Sequence, residues 1–207
     1  MAKPKVVGEV RRDVPERAPP AGPRPHDWLS EESTGLYDEM SKSGEPFDMY
    51  ISTLAESRMR HQAIKAVPDR LEVMGLLLGE VSRCRGKTYA VVMNVGTTDL
   101  ENTQAKVRFD PDALPGLFKE LDGAGFDYII VGWYHSHPGH TCFLSRTDLR
   151  TQRTLFDQPF HCALVIDPVN REIKAFKLSE GGYAEVPFAL VSEGGPKLRR
   201  LKTGMQG

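Results

Sequence analysis

The sequence has little that would staple it, anchor it in a membrane or draw it to a polyanion. Its 207 residues include only three cysteines, Cys84, Cys142 and Cys162, an odd and widely spaced set with no CxxC pair. That argues against a disulfide framework and fits a reducing compartment. Long apolar runs are missing. Residues 73–78 and 128–131 are among the longest, whereas a membrane-spanning helix needs about 20 apolar residues. The first residues, MAKPKVVGEVRRDVPER, lack the apolar stretch of a secretory signal. Charge of either sign is not in excess, with 27 Lys and Arg against 28 Asp and Glu and a formal net charge of -1. No overall field therefore favours nucleic acid or an acidic membrane as partner. With 40% hydrophobic and 27% charged residues, the composition is that of a soluble globular protein, and the expected location is cytoplasmic.

Residues 1–45 are rich in proline and charge and show no sustained periodicity, which predicts a disordered or loosely held extension. Inside it, HDWLSEESTGLYDEM (residues 26–40) could form a short helix or a linear motif. A domain is expected over residues 46–192, followed by a flexible basic tail over 193–207. Tyr50 to Ser52 reads as a short strand, and Ser52 as the N-cap of a helix that Pro68 stops. LEVMGLLLGEV (71–81) and YAVVMNV (89–95) read as neighbouring antiparallel strands. TTDLENTQAKVR (97–108) is polar and aperiodic, a long loop. Leu114, Leu117, Phe118 and Leu121 recur at helical spacing, closed by GAG at 123–125. Residues 128–135 form the next strand and Ser145 opens the next helix. Residues 161–168 and 172–179 make two more strands around a DPVNR turn. Strands alternate with helices, yet several neighbours pair as hairpins. The expected class is α/β of the α+β kind, a mixed, mostly antiparallel sheet flanked by helices.

One segment carries chemistry: VGWYHSHPGHTCFLSRTD, residues 131–148. Residues two apart on a strand share a face, so Ile129, Val131, Trp133, His135 and His137 should lie on one side. Both imidazoles then emerge together before Pro138 and Gly139 turn the chain. Ser145 and Asp148 have the spacing of a capping box. A strand end and a helix cap would account for all four residues. Joined, two histidines, a first-turn carboxylate and a water make a tetrahedral zinc site of catalytic type. Cys142 could be proposed as a fourth ligand, but its loop must already bend. Such a site needs a base, and Glu72, a carboxylate within an apolar strand, is the candidate; the alternative is an edge position facing solvent. Glu80 reads as solvated, His140 as a loop residue, and His26, His61 and His161 lack any context for ligation.

Glu72, then His135-Ser136-His137-Pro138, then Ser145-x-x-Asp148 resembles the JAMM (MPN+) signature of zinc metalloproteases. With EVMGLLLGE upstream, the phrase is most similar to the proteasome-lid deubiquitinase branch of that family. The likeness runs from about Phe47 to about Ser179. HExxH is absent, so this is not a thermolysin-type site, and no PCxxC accompanies the histidines, which speaks against a nucleobase deaminase. The resemblance implies the MPN/JAMM fold, which is cytidine-deaminase-like. It implies one zinc ion per chain on His135, His137 and Asp148. Glu72 would be the base that moves a proton from water to the leaving amine, and Ser145 a donor to the oxyanion. The implied reaction is hydrolysis of the isopeptide bond between the C-terminal glycine of ubiquitin or a ubiquitin-like modifier and a substrate lysine, with the proteasome as an associated assembly. An insertion corresponding to residues 97–108 would fold over the modifier tail. Thr97, Thr98, Leu100 and Val107, with Trp133, Cys142 and Phe143, are then the candidate substrate-binding residues.

Members of that branch continue into long C-terminal helices, whereas only about 28 residues follow Ser179 here. The expectation is a compact, stand-alone homologue of archaeal type. Three other readings stay open. One is a protease of the same family that trims a sulfur-carrier protein or small peptide. The second is a non-catalytic scaffold, although no ligand of the motif is missing. The third is a cysteine hydrolase using Cys142 with His140, for which nothing in the sequence orients the pair.

Overall fold

A computed structural model describes residues 14–97 and 129–192. The expected helix around residues 114–121, the loop residues 98–108 and the tail from 193 onward lie outside the described residues. Among those described, helix α1 is Glu31–Ser43, strand β1 Met49–Ser52 and helix α2 Thr53–Ala66. A 3-10 turn, Val67–Asp69, follows at Pro68. Then come β2 Met74–Cys84, β3 Lys87–Thr97, β4 Ile129–Ser136, helix α3 Arg146–Leu155 and β5 Cys162–Asp167. β6 Glu172–Ser179, β7 Gly182–Val186 and β8 Phe188–Val191 complete the set. No described helix is long and apolar enough to cross a membrane.

The strands form one eight-stranded sheet in the order β7-β6-β5-β4-β2-β3-β1-β8. The hairpins β2/β3, β5/β6 and β6/β7 and the β2/β4 pair are antiparallel. The pairs β1/β3, β1/β8 and β4/β5 are parallel. This is the mixed sheet of an α+β fold. β7 and β8 lie at opposite ends of that order, yet only Pro187 separates them in sequence. The sheet must therefore curl until its edges meet. Asp48, just before β1, closes the gap by pairing with Lys177 on β6 at 2.9 Å and Lys87 on β3 at 3.0 Å.

Two apolar layers cover the sheet. On one face Ala55, Met59 and Ala63 of α2 pack with Met49, Ile51, Val131, Leu164 and Ile166. On the other, Met74, Leu76, Trp133, Val165 and Phe176 pack with Cys142, Leu144 and Phe156 around α3. Ser52 caps α2 by accepting the Ala55 N–H, as its sequence position indicates.

Three sequence expectations are corrected. From Val14 onward the N-terminal residues are not a loose extension. Pro15 and Arg17 exchange backbone hydrogen bonds with Arg83, and Arg24 does so with Leu190. Tyr89 donates to the carbonyls of Arg17 and Ala18. Trp28 is buried in the main core and Tyr37 stacks on Phe47. An extended strap has no period for a sequence reading to detect, and its stabilisation comes from a few large aromatic anchors. Second, Glu72 does not lie inside a strand: β2 starts at Met74. Third, the side chains of β4 do not alternate throughout. Leu77 pairs with Gly132 but Leu78 with Ile130, leaving Val131 as a bulge. Val131 accordingly packs in the α2 layer, whereas Ile130 and Trp133 pack in the α3 layer. The bulge re-aims the end of the strand, a device common beside functional sites. Gly132 permits it, because a Cβ there would lie 2.0 Å from the Cys162 carbonyl oxygen.

Candidate metal centre

After the bulge, Trp133 and His135 point to the α3 face of the sheet. His137 follows the strand end, fixed by its backbone N–H to the Ile166 carbonyl at 2.9 Å. The two imidazoles meet with Nε2 atoms 3.1 Å apart. Asp148 Oδ2 approaches them from α3, at 3.6 Å from His135 Nε2 and 3.9 Å from His137 Nε2. The three side chains are mutually close enough to share one metal ion. Both histidines are buried.

Each group is held from behind. Ser145 and Asp148 form the expected capping box: the Ser145 N–H donates to Asp148 Oδ2 at 2.7 Å, and the Asp148 N–H donates to Ser145 Oγ at 3.2 Å. Burial pushes the Asp148 carboxyl up, but interaction with His135 and hydrogen bonding at Ser145 outweigh it and hold it at about 2. The carboxylate is anionic at any working pH. Burial and the neighbouring His135 push the His137 pKa down, against a smaller upward pull from the Thr141 carbonyl. A neutral imidazole is the form that ligates a metal. His137 Nδ1 lies 3.1 Å from that carbonyl, an arrangement that leaves Nε2 free to ligate. His135 is supported differently. Its ring stacks on Trp133 at 4.6 Å and 12°, and its Nδ1 is the buried side-chain polar atom among the described residues that has no hydrogen-bond partner. The Trp133 indole N–H in turn donates to Gln152 Oε1 at 2.6 Å.

Glu72 sits half-buried in the short link before β2. Ser136, between the two histidines, ties that link down: its Oγ accepts the Val73 N–H at 2.9 Å, and its own N–H donates to the Val73 carbonyl at 2.9 Å. Burial raises the Glu72 carboxyl above its ordinary value. His135 and His140 pull it down and Asp148 pushes it up, so its charge is felt within the cluster. Glu72 thus lies on the link that Ser136 ties to the histidine segment, not at the strand position expected for it.

The structure divides the other candidates. Phe143 is exposed, its ring 4.8 Å from that of His137. Trp133 is wholly buried beneath His135 and so supports the site from below rather than facing a substrate. Cys142 is also buried: its thiol donates to the Val165 carbonyl at 3.3 Å, and burial together with Glu172 drives its pKa up. That suits neither a metal-ligating thiolate nor a nucleophile. Thr97 ends β3, while Thr98, Leu100 and Val107 lie outside the described residues. Three contributors were not singled out by sequence reasoning: Gln152, Ser136 and Asp167. Gln152 was detectable in principle, one helical turn beyond Asp148. Asp167, which accepts the Gly139 and Thr141 N–H groups, had no sequence signal beyond its turn.

Fold and site together define a class: an α+β protein with a His-His-Asp group, able to hold one metal ion, at the end of a central strand. Residues 48–157 match the family described as JAB1/Mov34/MPN/PAD-1 ubiquitin protease, and the chain belongs to that family. It is 34% identical over 143 residues to COP9 signalosome complex subunit 5 of Debaryomyces hansenii, covering 67% of this chain and 29% of that protein. It is 34% identical over 166 residues to ubiquitin carboxyl-terminal hydrolase RPN11 of Saccharomyces cerevisiae, covering 76% and 50% respectively. The chain thus spans half or less of the length of these relatives. A solution structure of a protein from Desulfitobacterium hafniense matches 70% of this chain and 94% of its own at 23% identity, with a TM-score of 0.49.

Proposed function

We propose that this chain is a zinc-dependent isopeptidase. It cleaves the bond between the C-terminal glycine of ubiquitin or a ubiquitin-like modifier and a substrate lysine, in connection with proteasomal degradation. The observation that carries this reading is the spacing of the three ligand atoms, 3.1, 3.6 and 3.9 Å. Zinc bonds of about 2.1 Å in a tetrahedron place ligand atoms roughly 3.4 Å apart, so the residues fit the ion. Two imidazoles and one carboxylate leave a fourth position open, the pattern of catalytic rather than structural zinc. Kinship with a ubiquitin protease family and with a named ubiquitin hydrolase supports the choice of modifier. The catalytic domain would span residues 46–192, with residues 14–45 packed against it.

Bound there, zinc would polarise the scissile carbonyl and lower the pKa of water towards roughly 7. The remaining work falls to side chains. Glu72 is half-buried with a raised proton affinity, which suits a carboxylate that takes a proton from the attacking water and returns it to the leaving lysine amine. Ser145 Oγ accepts the Asp148 N–H, so its own O–H is left to donate to the carbonyl oxygen as that oxygen gains charge. Ser136 holds Glu72 in register with the histidines through Val73. The exposed Phe143, with residues 97–108, would receive the modifier's glycine tail, which lacks side chains and can lie extended in a narrow groove.

The deciding experiment is cleavage of a ubiquitin–lysine conjugate by the purified chain with zinc, with a chelator, and with Glu72→Gln. Cleavage that needs both zinc and Glu72 establishes the activity. A chain that binds no zinc refutes it.

A further inference from the structure

A buried carboxylate that the chemistry above does not use, Asp167, stands at the end of β5. It is fully buried and takes five hydrogen bonds. On Oδ1 it accepts the N–H groups of Gly139 at 2.9 Å, Val169 at 3.0 Å and Asn170 at 3.1 Å. On Oδ2 it accepts the Thr141 N–H at 2.7 Å and the Asn170 side-chain amide at 2.7 Å. Three of these bonds organise its own turn, residues 167–170. The other two reach across to the loop that follows His137.

That loop is unusual at Thr141, whose φ is +63°. A β-branched residue in left-handed conformation is a true outlier, costing on the order of 1–3 kcal/mol, and persists only where its surroundings over-determine it. Asp167 supplies the constraint by gripping the loop at Thr141 itself and at Gly139, which also has positive φ. The strained geometry has a visible consequence: the Thr141 carbonyl is presented to His137 Nδ1 at 3.1 Å. A carbonyl there fixes the proton on Nδ1 and leaves the Nε2 lone pair facing His135 and Asp148. Resting on the metal-centre reading above, we propose that Asp167 is a positioning residue: by clamping Thr141 in a strained conformation, it sets the tautomer and orientation of His137 for metal binding.

The carboxylate is suited to this task. Burial pushes its pKa up, but the N–H donors outweigh that and hold it below the ordinary carboxylate range, so it remains an acceptor on both oxygens. An asparagine of the same shape would have to present its NH2 group to either the Gly139 or the Thr141 donor. One grip on the loop would be lost with little change in volume.

The test compares zinc affinity, by competition with a chromophoric chelator, in the unmutated chain, Asp167→Asn and Asn170→Ala, each checked for folding by circular dichroism. Asp167→Asn should bind zinc ten- to hundredfold more weakly, the usual range for losing a partner that orients a ligand. Its cobalt-substituted form should show an altered visible spectrum. Asn170→Ala removes one donor to Oδ2 but neither of the two grips on the loop, so it should weaken zinc binding less than Asp167→Asn does. A folded Asp167→Asn with unchanged zinc affinity and cobalt spectrum overturns the proposal while leaving the metal centre intact. An unmutated chain that binds no zinc overturns the metal centre itself. Should Asp167→Asn not fold, nitrogen-detected NMR of His137 in the unmutated zinc-loaded chain decides. A protonated Nδ1, with slow amide exchange at Gly139 and Thr141, supports the clamp. The opposite tautomer sinks it.

Discussion

Asp148 and Gln152 stand one turn apart on α3 and meet β4 at two levels. Asp148 Oδ2 faces His135 at 3.6 Å. Gln152 Oε1 accepts the Trp133 indole N–H at 2.6 Å, and Trp133 lies flat against the same histidine. One helix therefore sets both the carboxylate and the platform under an imidazole. Residues four apart share a helix face, and here the shared face reads a strand on which Trp133 and His135 also share a side.

Replacing Gln152 with leucine tests that coupling. It removes the acceptor of the Trp133 N–H and the amide that donates to the Phe156 carbonyl at 2.9 Å. Breaking buried hydrogen bonds on one side costs about 1–3 kcal/mol. Urea unfolding should show a loss of that size. Zinc affinity should fall several-fold as the Trp133–His135 stack loosens; unchanged affinity would mean that the stack is packing alone.

Glu72→Gln keeps the shape of the side chain and removes its capacity to take a proton. Glu72 is outside the His-His-Asp group, so zinc should bind as before, while conjugate cleavage should fall by at least 10²-fold, the lower end of what a general base contributes. Retained turnover with zinc in place would refute Glu72 as the base.

The grouping of His135, His137 and Asp148 was legible in the sequence because its parts obey local rules. An HxH at a strand end and a capping box at a helix start each have a fixed spacing. Only the three-dimensional meeting of the two had to be supplied by the fold. Ser52 as a helix cap was readable for the same reason. What escaped was non-local. The bulge at Val131 depends on Gly132 passing close to Cys162 on a neighbouring strand, which no window of sequence contains. β7 and β8 had no strand reading because each is only four or five residues long and Pro187 interrupts them. In fact it is where the chain passes from one edge of the curled sheet to the other. Asp167 reads as a turn residue, since its reach to Thr141 spans 26 positions.

The N-terminal strap gives a direct test of its own. Trp28 is buried in the main core, with Arg60 and Arg171 over its ring at 5.6 and 5.8 Å. Its carbonyl accepts the Ile173 N–H from β6. Trp28→Ala should destabilise the chain by about 3–5 kcal/mol, the usual cost of truncating a buried tryptophan. Limited proteolysis should then cut first within residues 14–29. A loss below about 0.5 kcal/mol, as at an ordinary surface position, would mean that the strap contributes nothing to stability.

His161 imposes a pH limit on the fold. It is buried beside Phe156 and Phe160, and its Nδ1 accepts the Gln158 N–H at 3.2 Å, which requires an unprotonated Nδ1. Burial lowers its pKa from 6.5 to about 4, with carbonyl and Asp157 interactions opposing. Above pH 6.5 the group is neutral in both folded and unfolded chains and contributes no pH dependence. As the pH falls below 6.5 the unfolded chain takes up the proton and the folded one does not, so stability declines until about pH 4, where the folded form also protonates. The decline integrates to roughly 3 kcal/mol. Urea titrations from pH 7 to 4 should show it, and His161→Asn, which keeps an acceptor for Gln158, should remove it even though its stability at pH 7 is lower. His137, also shifted down, remains in both proteins, so the difference between the two curves isolates His161. Parallel curves over that interval would show that His161 is charged in the folded chain, against the hydrogen bond it accepts.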